Sequence, residues 1–358
     1  MYRDEFEPID REIMNILQSD FPLVREPFRV IGERCEADES EVIARVKELK
    51  RKNVVRQIGA IFDTRRLGYT STLVAMRFPE DALDRGAQIL NAHPGISHNY
   101  ARNGEFNLWF TLALPPGKDI ASEVHKLTRL SGAETSRLLP TIRFFKIGVN
   151  FDMVNRVSNA TDYFVPDTQY GNDTRNGATP AAVPTAATDL SKFDIEFVRE
   201  LQEDLPLEPR PFDDMADRLD LTVTELFAKA DEMMDRKLMR RYAAVLHHRR
   251  AGFSANAMAV WNVPEGRSVA VGQQMAEHPA VTHCYERPRY DDWRFSHFTM
   301  IHAVTRGECE EIARDIATET ELDDYQLLYS HREYKKTRVR YFVDDNVDVE
   351  RAAALIGT

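Results

Sequence analysis

At 358 residues, with 43% hydrophobic and 29% charged positions, the chain is long enough for roughly two to four globular domains. No apolar run approaches the roughly 20 residues of a membrane span, and the acidic opening MYRDEFEPID lacks the apolar core of a signal peptide, so a cytoplasmic protein is expected. The formal net charge of -11 opposes binding to a polyanion, while Cys35, Cys284 and Cys309, odd in number and without CxxC spacing, argue against a disulfide framework or a structural zinc site.

In chain order, IDREIMNILQ, PFRVIGERC and DESEVIARVKELKRKN carry apolar residues at helical spacing and are punctuated by Pro22, Pro27 and Asp38. The strand-forming VVRQIGAIF follows, so residues 1–66 are expected to form a winged helix-turn-helix. Residues 67–154 then read strand, helix, strand, strand, helix, strand: STLVAMRF, DALDRGAQILNAH, GISHNYAR, FNLWFTLAL, DIASEVHKLTRL and TSRLLPTIRFFKIG. That order predicts a ferredoxin-like βαββαβ domain, and the fold class is α+β. Residues 155–189, which include NDTRNGATPAAVPTAATD, lack apolar periodicity and read as a linker.

The remainder repeats the first half. VRQIGAIFDTRRLGY (Val55 to Tyr69) aligns with MRRYAAVLHHRRAGF (Met239 to Phe253), and AHPGISHNYAR aligns with EHPAVTHCYER. NLWFTLA matches FSHFTMI once the insertion PRYDDW is allowed. An internal duplication therefore predicts a second winged helix-turn-helix over 190–250, a second ferredoxin-like domain over 251–345 and a tail over 346–358. Two open sheets have edges to cover, so the copies are expected to pack as a pseudo-symmetric pair.

Alternation with a period of two puts His98, Tyr100 and Arg102 on one strand face, and His283, Tyr285 and Arg287 on the equivalent face of the second copy. The helix-turn-helix followed by βαββαβ resembles the Lrp/AsnC regulators. The resemblance sharpens at HNYAR with FNLWFT and at HCYERP with FTMIH, which look like the two related subunits of the siroheme decarboxylase family, fused here into one chain.

This resemblance implies removal of carbon dioxide from the C12 and C18 acetates of siroheme, in haem d1 or alternative haem biosynthesis. It also implies no cofactor beyond the iron carried by the substrate; no PLP, flavin, nicotinamide or P-loop signature occurs in the sequence. Siroheme, its decarboxylated products and downstream tetrapyrrole enzymes are the expected partners, and further homo-oligomerisation is open.

Siroheme carries many carboxylates around an apolar ring, which calls for guanidinium groups at the rim and aromatic walls. Arg102, Arg287, Arg56, Arg240 and Arg241 are the candidate carboxylate anchors, and Trp109 and Trp293 the candidate ring contacts. His98 and His283 are the candidate proton donors, with Tyr100 and Tyr285 beside them; an axial iron ligand or a backbone-bonded structural histidine is the alternative.

His297 and His302 fall on opposite faces of one strand, and the alignment of His297 with Trp109 favours His297. His247 and His248, in the run HHRR, are further carboxylate contacts or a solvated loop. His93 and His278, each before Pro, read as capping residues. Gly104 stands where the family usually has a histidine, and Ser296-His297 replaces its usual Asn-Leu, so the second copy is expected to supply the principal acid.

The rival reading is a DNA-binding regulator. Its candidate recognition segments are nearly neutral: DESEVIARVKELKRKN has five basic and four acidic residues, and TVTELFAKADEMMDRK three and four. A tetrapyrrole sensor without turnover is the third reading.

Overall fold

A computed structural model describes residues 6–147, 151–152, 157–158, 189–246, 255–343 and 349–356. The first copy contains α1 (Pro8–Ser19), α2 (Pro27–Cys35), α3 (Glu39–Arg51), β1 (Val55–Phe62), β2 (Thr70–Arg77), α4 (Leu83–Asn91), β3 (Ile96–Arg102), β4 (Leu108–Leu114), α5 (Ile120–Ser131), β5 (Thr135–Leu139) and β6 (Arg143–Ile147). A short pair, β7 (Phe151–Asp152) and β8 (Val157–Ser158), follows. The second copy contains α6 (Lys192–Leu201), α7 (Asp213–Arg218), α8 (Val223–Asp235), β9 (Met239–Leu246), β10 (Ala255–Trp261), α9 (Ser268–Glu277), β11 (Val281–Glu286), β12 (His297–Ala303), α10 (Arg306–Thr320), β13 (Tyr325–Lys336) and α11 (Val349–Ile356). Nearly all of the expected linker, together with His247 and His248, lies outside the described residues.

The chain divides into two compact units, and each takes the same part of both copies. One unit holds both helix-turn-helix modules. Its β1 and β9 pair antiparallel, with Ile58 opposite Ala244, and the modules are linked by Arg25–Asp213, Arg210–Glu26 and Lys50–Asp204 ion pairs. Hydroxyl caps start two of its helices: Ser191 accepts from the Asp194 amide and Thr222 from that of Glu225.

The other unit is one nine-stranded sheet in the order β5-β2-β4-β3-β13-β10-β12-β11-β6. Each copy contributes the ferredoxin-like order, and the last strand of each crosses into the other. β13 pairs with β10 through Tyr329 and with β3 from Ser330 onward. Its counterpart in the first copy, expected as a single strand, is broken at Pro140, which has no amide proton to give a ladder. The piece before it, β5, pairs with β2, and the piece after it, β6, pairs with β11.

β5 and β6, the two edge strands, are joined by residues 140–142 alone, so the edges of the nine-stranded sheet adjoin and the sheet curls into a ring. β3 and β11 then stand opposite each other. Helices α4, α5, α9 and α10 cover the outside over two apolar cores. The expected tail carries α11, whose Val349, Ala353 and Ile356 join the core of the first copy. Apolar spacing along VERAAALI accounts for that helix.

Candidate active site

The interior of the ring is set by strand pairing. Tyr100 lies opposite Trp109 and His98 opposite Thr111; in the second copy Tyr285 lies opposite Phe298 and His283 opposite Met300. Residues directly opposite in a ladder share a face, so both HxYxR motifs point inward. Asn99 and Cys284 point outward and are fully buried beneath the helices.

One end of the interior is plugged by aromatic rings, so Trp109 and Trp293, expected as ring contacts for the tetrapyrrole, are buried in a core instead. Trp109 packs against Trp293 with centroids 5.3 Å apart and against Phe298 at 6.4 Å, while its indole N–H donates to the Phe106 carbonyl at 2.7 Å. Ala75, Leu139, Met258, Val260 and Leu328 complete this core, which draws on both copies.

Beside the plug sit the two motif arginines, arranged reciprocally. Arg102 Nη1 donates to the Leu328 carbonyl of the second copy at 3.0 Å, and Arg287 Nη1 donates to the Leu139 carbonyl of the first. Each guanidinium also lies over its motif tyrosine, 5.6 Å from the Tyr100 centroid and 4.8 Å from that of Tyr285.

The histidines occupy the next layer. His98 Nδ1 is hydrogen-bonded to Ser97 Oγ and His283 Nδ1 to Thr282 Oγ1, each at 2.9 Å. The imidazole of each is stepped over its tyrosine, with centroids 6.3 and 6.1 Å apart. Burial pushes His283 down to about 3, and the nearby imidazoles of His302 and His98, with Lys146, push in the same direction. His302 is held at about 4 by burial, with Lys336 adding to it. Lys336 is paired with His98 in the β3–β13 ladder. Four strands thus bring His98, His283, His302 and Lys336 together.

This layer corrects one expectation. His297 lies on the outer face, fully buried, where its Nε2–H donates to the Ser268 carbonyl at 2.9 Å and its ring stacks on Phe145. The sequence alignment set His297 against Trp109, but the pairing opposite the tyrosines makes Phe298 the counterpart of Trp109. A slip of one residue reverses the face, so His302 is the histidine that joins His283. The same offset places Ala113 at the position of His302 in the first copy. Register opposite Tyr100 and Tyr285, rather than the shared FT dipeptide, is the signal that would have found it.

The remaining candidates belong to the helix-turn-helix unit. Arg240 is committed to Asp63, with contacts of 2.7 and 3.2 Å that hold the Asp63 carboxyl below its usual range despite burial. Arg56 is half-buried on β1, and Arg241 is exposed on β9. A cavity of about 370 Å³ between Tyr69, His93, Lys118, Arg340 and Val349 lies apart from the motif residues.

Comparison with known proteins bears on what this layer serves. The profile of the AsnC-like ligand binding domain matches residues 66–146 and 250–335, and that of the siroheme decarboxylase NirDL-like HTH domain matches residues 10–56 and 194–240. The siroheme decarboxylase of Hydrogenobacter thermophilus is 38% identical over 339 residues, covering 93% of this chain and 95% of that protein. The chain belongs to the siroheme decarboxylase family.

Within the family, the siroheme decarboxylase NirDL subunit of Paracoccus denitrificans is 30% identical over 92% of this chain and 95% of its own. The siroheme decarboxylase beta subunit of Methanosarcina barkeri is 42% identical over 42% of this chain and 99% of its own, so a relative of half the length matches one copy. The crystal structure of the siroheme decarboxylase NirDL superposes with a TM-score of 0.68 at 32% identity, covering 97% of this chain and 98% of that one. A second such structure, at 31% identity and the same TM-score and coverage, is a complex with an iron-uroporphyrin III analogue. The resemblance read from HNYAR and HCYERP therefore holds across the whole fused chain.

Proposed function

We propose that this protein is a siroheme decarboxylase, a carboxy-lyase that removes carbon dioxide from acetate side chains of an iron tetrapyrrole. Family membership over nearly the full length supports the activity. The observation that carries the site is the convergence of His98, His283, His302 and Lys336 from both copies at one end of the ring. Each acetate loses its carboxylate as carbon dioxide, the electron pair left on the methylene carbon is delocalised into the macrocycle, and one proton completes a methyl group. The reaction is redox-neutral and consumes one proton per acetate.

That proton falls to the histidines. Burial keeps His283 and His302 neutral near neutral pH, and an approaching carboxylate raises the pKa of a neighbouring imidazole, so the substrate itself draws a proton onto the cluster. His283 is the principal donor in this reading, with His98 and His302 beside it. Lys336 offers a cation to carboxylates, and Tyr100 and Tyr285 hold the imidazole planes. Arg102 and Arg287, expected as carboxylate anchors, act beneath them instead, fixing the tyrosines and joining the copies. The iron is part of the substrate.

The regulator reading is disfavoured by how the helix-turn-helix spends its basic residues. On α3, Arg45 pairs with Glu7, Asp10 and Glu41, and Arg51 with Glu48; on α8, Lys229 pairs with Asp194 and Glu232. Arg236, just beyond α8, pairs with Asp194 and Glu232 as well. Side chains so engaged are poor phosphate ligands.

Anaerobic incubation with siroheme followed by mass analysis tests the proposal. Products lighter by one and then two carbon dioxide units are expected; a bound tetrapyrrole recovered unchanged would make the protein a sensor.

A further inference from the structure

Two lysines, Lys146 buried and Lys335 half-buried, cross between the copies in matching positions. Lys335 on β13 is paired with Asn99, and its Nζ donates to the carbonyls of Asn91 at 2.9 Å and His93 at 3.0 Å. Lys146 on β6 is paired with Cys284, and its Nζ donates to the carbonyl of His278 at 3.1 Å. His93 and His278 are equivalent: each ends the helix before its copy's motif strand and precedes a proline.

The turns they close are alike in detail. The His93 carbonyl also accepts the Ile96 amide at 3.2 Å, and His93 Nδ1 accepts the Gly95 amide at 3.0 Å. The His278 carbonyl accepts the Val281 amide at 3.1 Å, and His278 Nδ1 accepts the Ala280 amide at 3.2 Å. Each carbonyl therefore anchors the first residue of its motif strand, Ile96 or Val281, and the ammonium of the other copy.

Burying an ammonium is costly, and burial does lower the pKa of both lysines. Carbonyls at a helix C-terminus carry partial negative charge and a second lone pair, so an ammonium recovers part of that cost there. Lys146 is 3% exposed.

We infer that Lys146 and Lys335 are positioning residues for the decarboxylation, each supplied by one copy to fix the turn that aims the motif histidine of the other: Lys146 for His283 and Lys335 for His98. The inference rests on the decarboxylase reading for its kinetic consequence but not for its structural one. Neither half then completes its own site, because the strand carrying each histidine is anchored by the opposite half.

The test is Lys146→Met and Lys335→Met in the full chain, read by imidazole NMR titration and by kinetics with siroheme. The titratable and charged groups around His283 are His302 from β12, His98 from β3, Lys146 from β6 and Tyr285 on its own strand. Lys146→Met should shift the His283 and His278 signals most and raise the His283 pKa, with smaller changes at His93 and His98; Lys335→Met should move His93 and His98 most. The kcat of each should fall roughly ten- to a hundredfold with KM nearly constant, as expected when a reacting group is misaimed.

Shifts of equal size at both motif histidines, or wild-type kcat in both variants, would overturn the inference. Should Lys146→Met not fold, Lys335→Met on its half-buried side chain decides the same crossed pattern. A wild-type protein that bound siroheme without turnover would sink the decarboxylase reading and leave the NMR result to judge the crossed anchoring.

Discussion

His98 and His283 lie on strands that are never adjacent in the sheet, yet their imidazoles sense each other across its interior. In the proposed site the two copies therefore feed one cluster. His283→Ala should fold and bind siroheme but lose turnover by roughly a hundredfold or more, the scale of a positioned general acid. His98→Ala should also slow turnover, by a smaller factor. Single-turnover product masses beside binding spectra separate the roles: full turnover by His283→Ala would remove it from catalysis, and lost binding would make it a ligand or structural residue.

His302 and His297 should behave oppositely. His302→Ala, on the inner face, is expected to impair turnover with little loss of stability. His297→Ala removes a fully buried ring and its bond to the Ser268 carbonyl, and should cost about 2–4 kcal/mol of stability. Chemical denaturation and kcat on both variants check this, and a stable, inactive His297→Ala would contradict the assignment of faces.

Acid should destabilise the protein through its inner histidines. Two of them are held below the ordinary histidine value, His283 at about 3 and His302 at about 4, so between there and about 6.5 the unfolded chain binds protons that the folded one refuses. Their contribution is present above about pH 6.5 and lost as pH falls toward 3. Urea midpoints measured between pH 7 and 4 should drop less steeply in His283→Asn than in the wild type.

Arg287→Lys tests the reciprocal clamps. A lysine keeps the charge but loses the planar stack on Tyr285 and the directed bond to the Leu139 carbonyl. A loss of about 1–2 kcal/mol in stability is expected, with weaker siroheme binding because Tyr285 is released. Unchanged stability and affinity would place Arg287 outside both roles.

The sequence by itself carried the duplication, the α+β class, the strand faces of both HxYxR motifs and the family. These follow from short-range periodicity and from motifs whose residues sit within one strand, where alternation leaves little choice. What only the tertiary structure decided is how the copies exchange strands. Pro140 marks where one strand is split, and β13 makes the same crossing unbroken, but which strands these pieces pair with is set by contacts between the copies and not by any local pattern. The choice between His297 and His302 was likewise not local, because face depends on which residue of β12 meets Tyr285, and a shift of one position reverses the answer. Arg240, legible as a ligand from charge alone, finds Asp63 at a distance in sequence that only folding closes. The cluster of His98, His283, His302 and Lys336 exists because a sheet built from two copies curls on itself, and curvature is a property of the whole sheet.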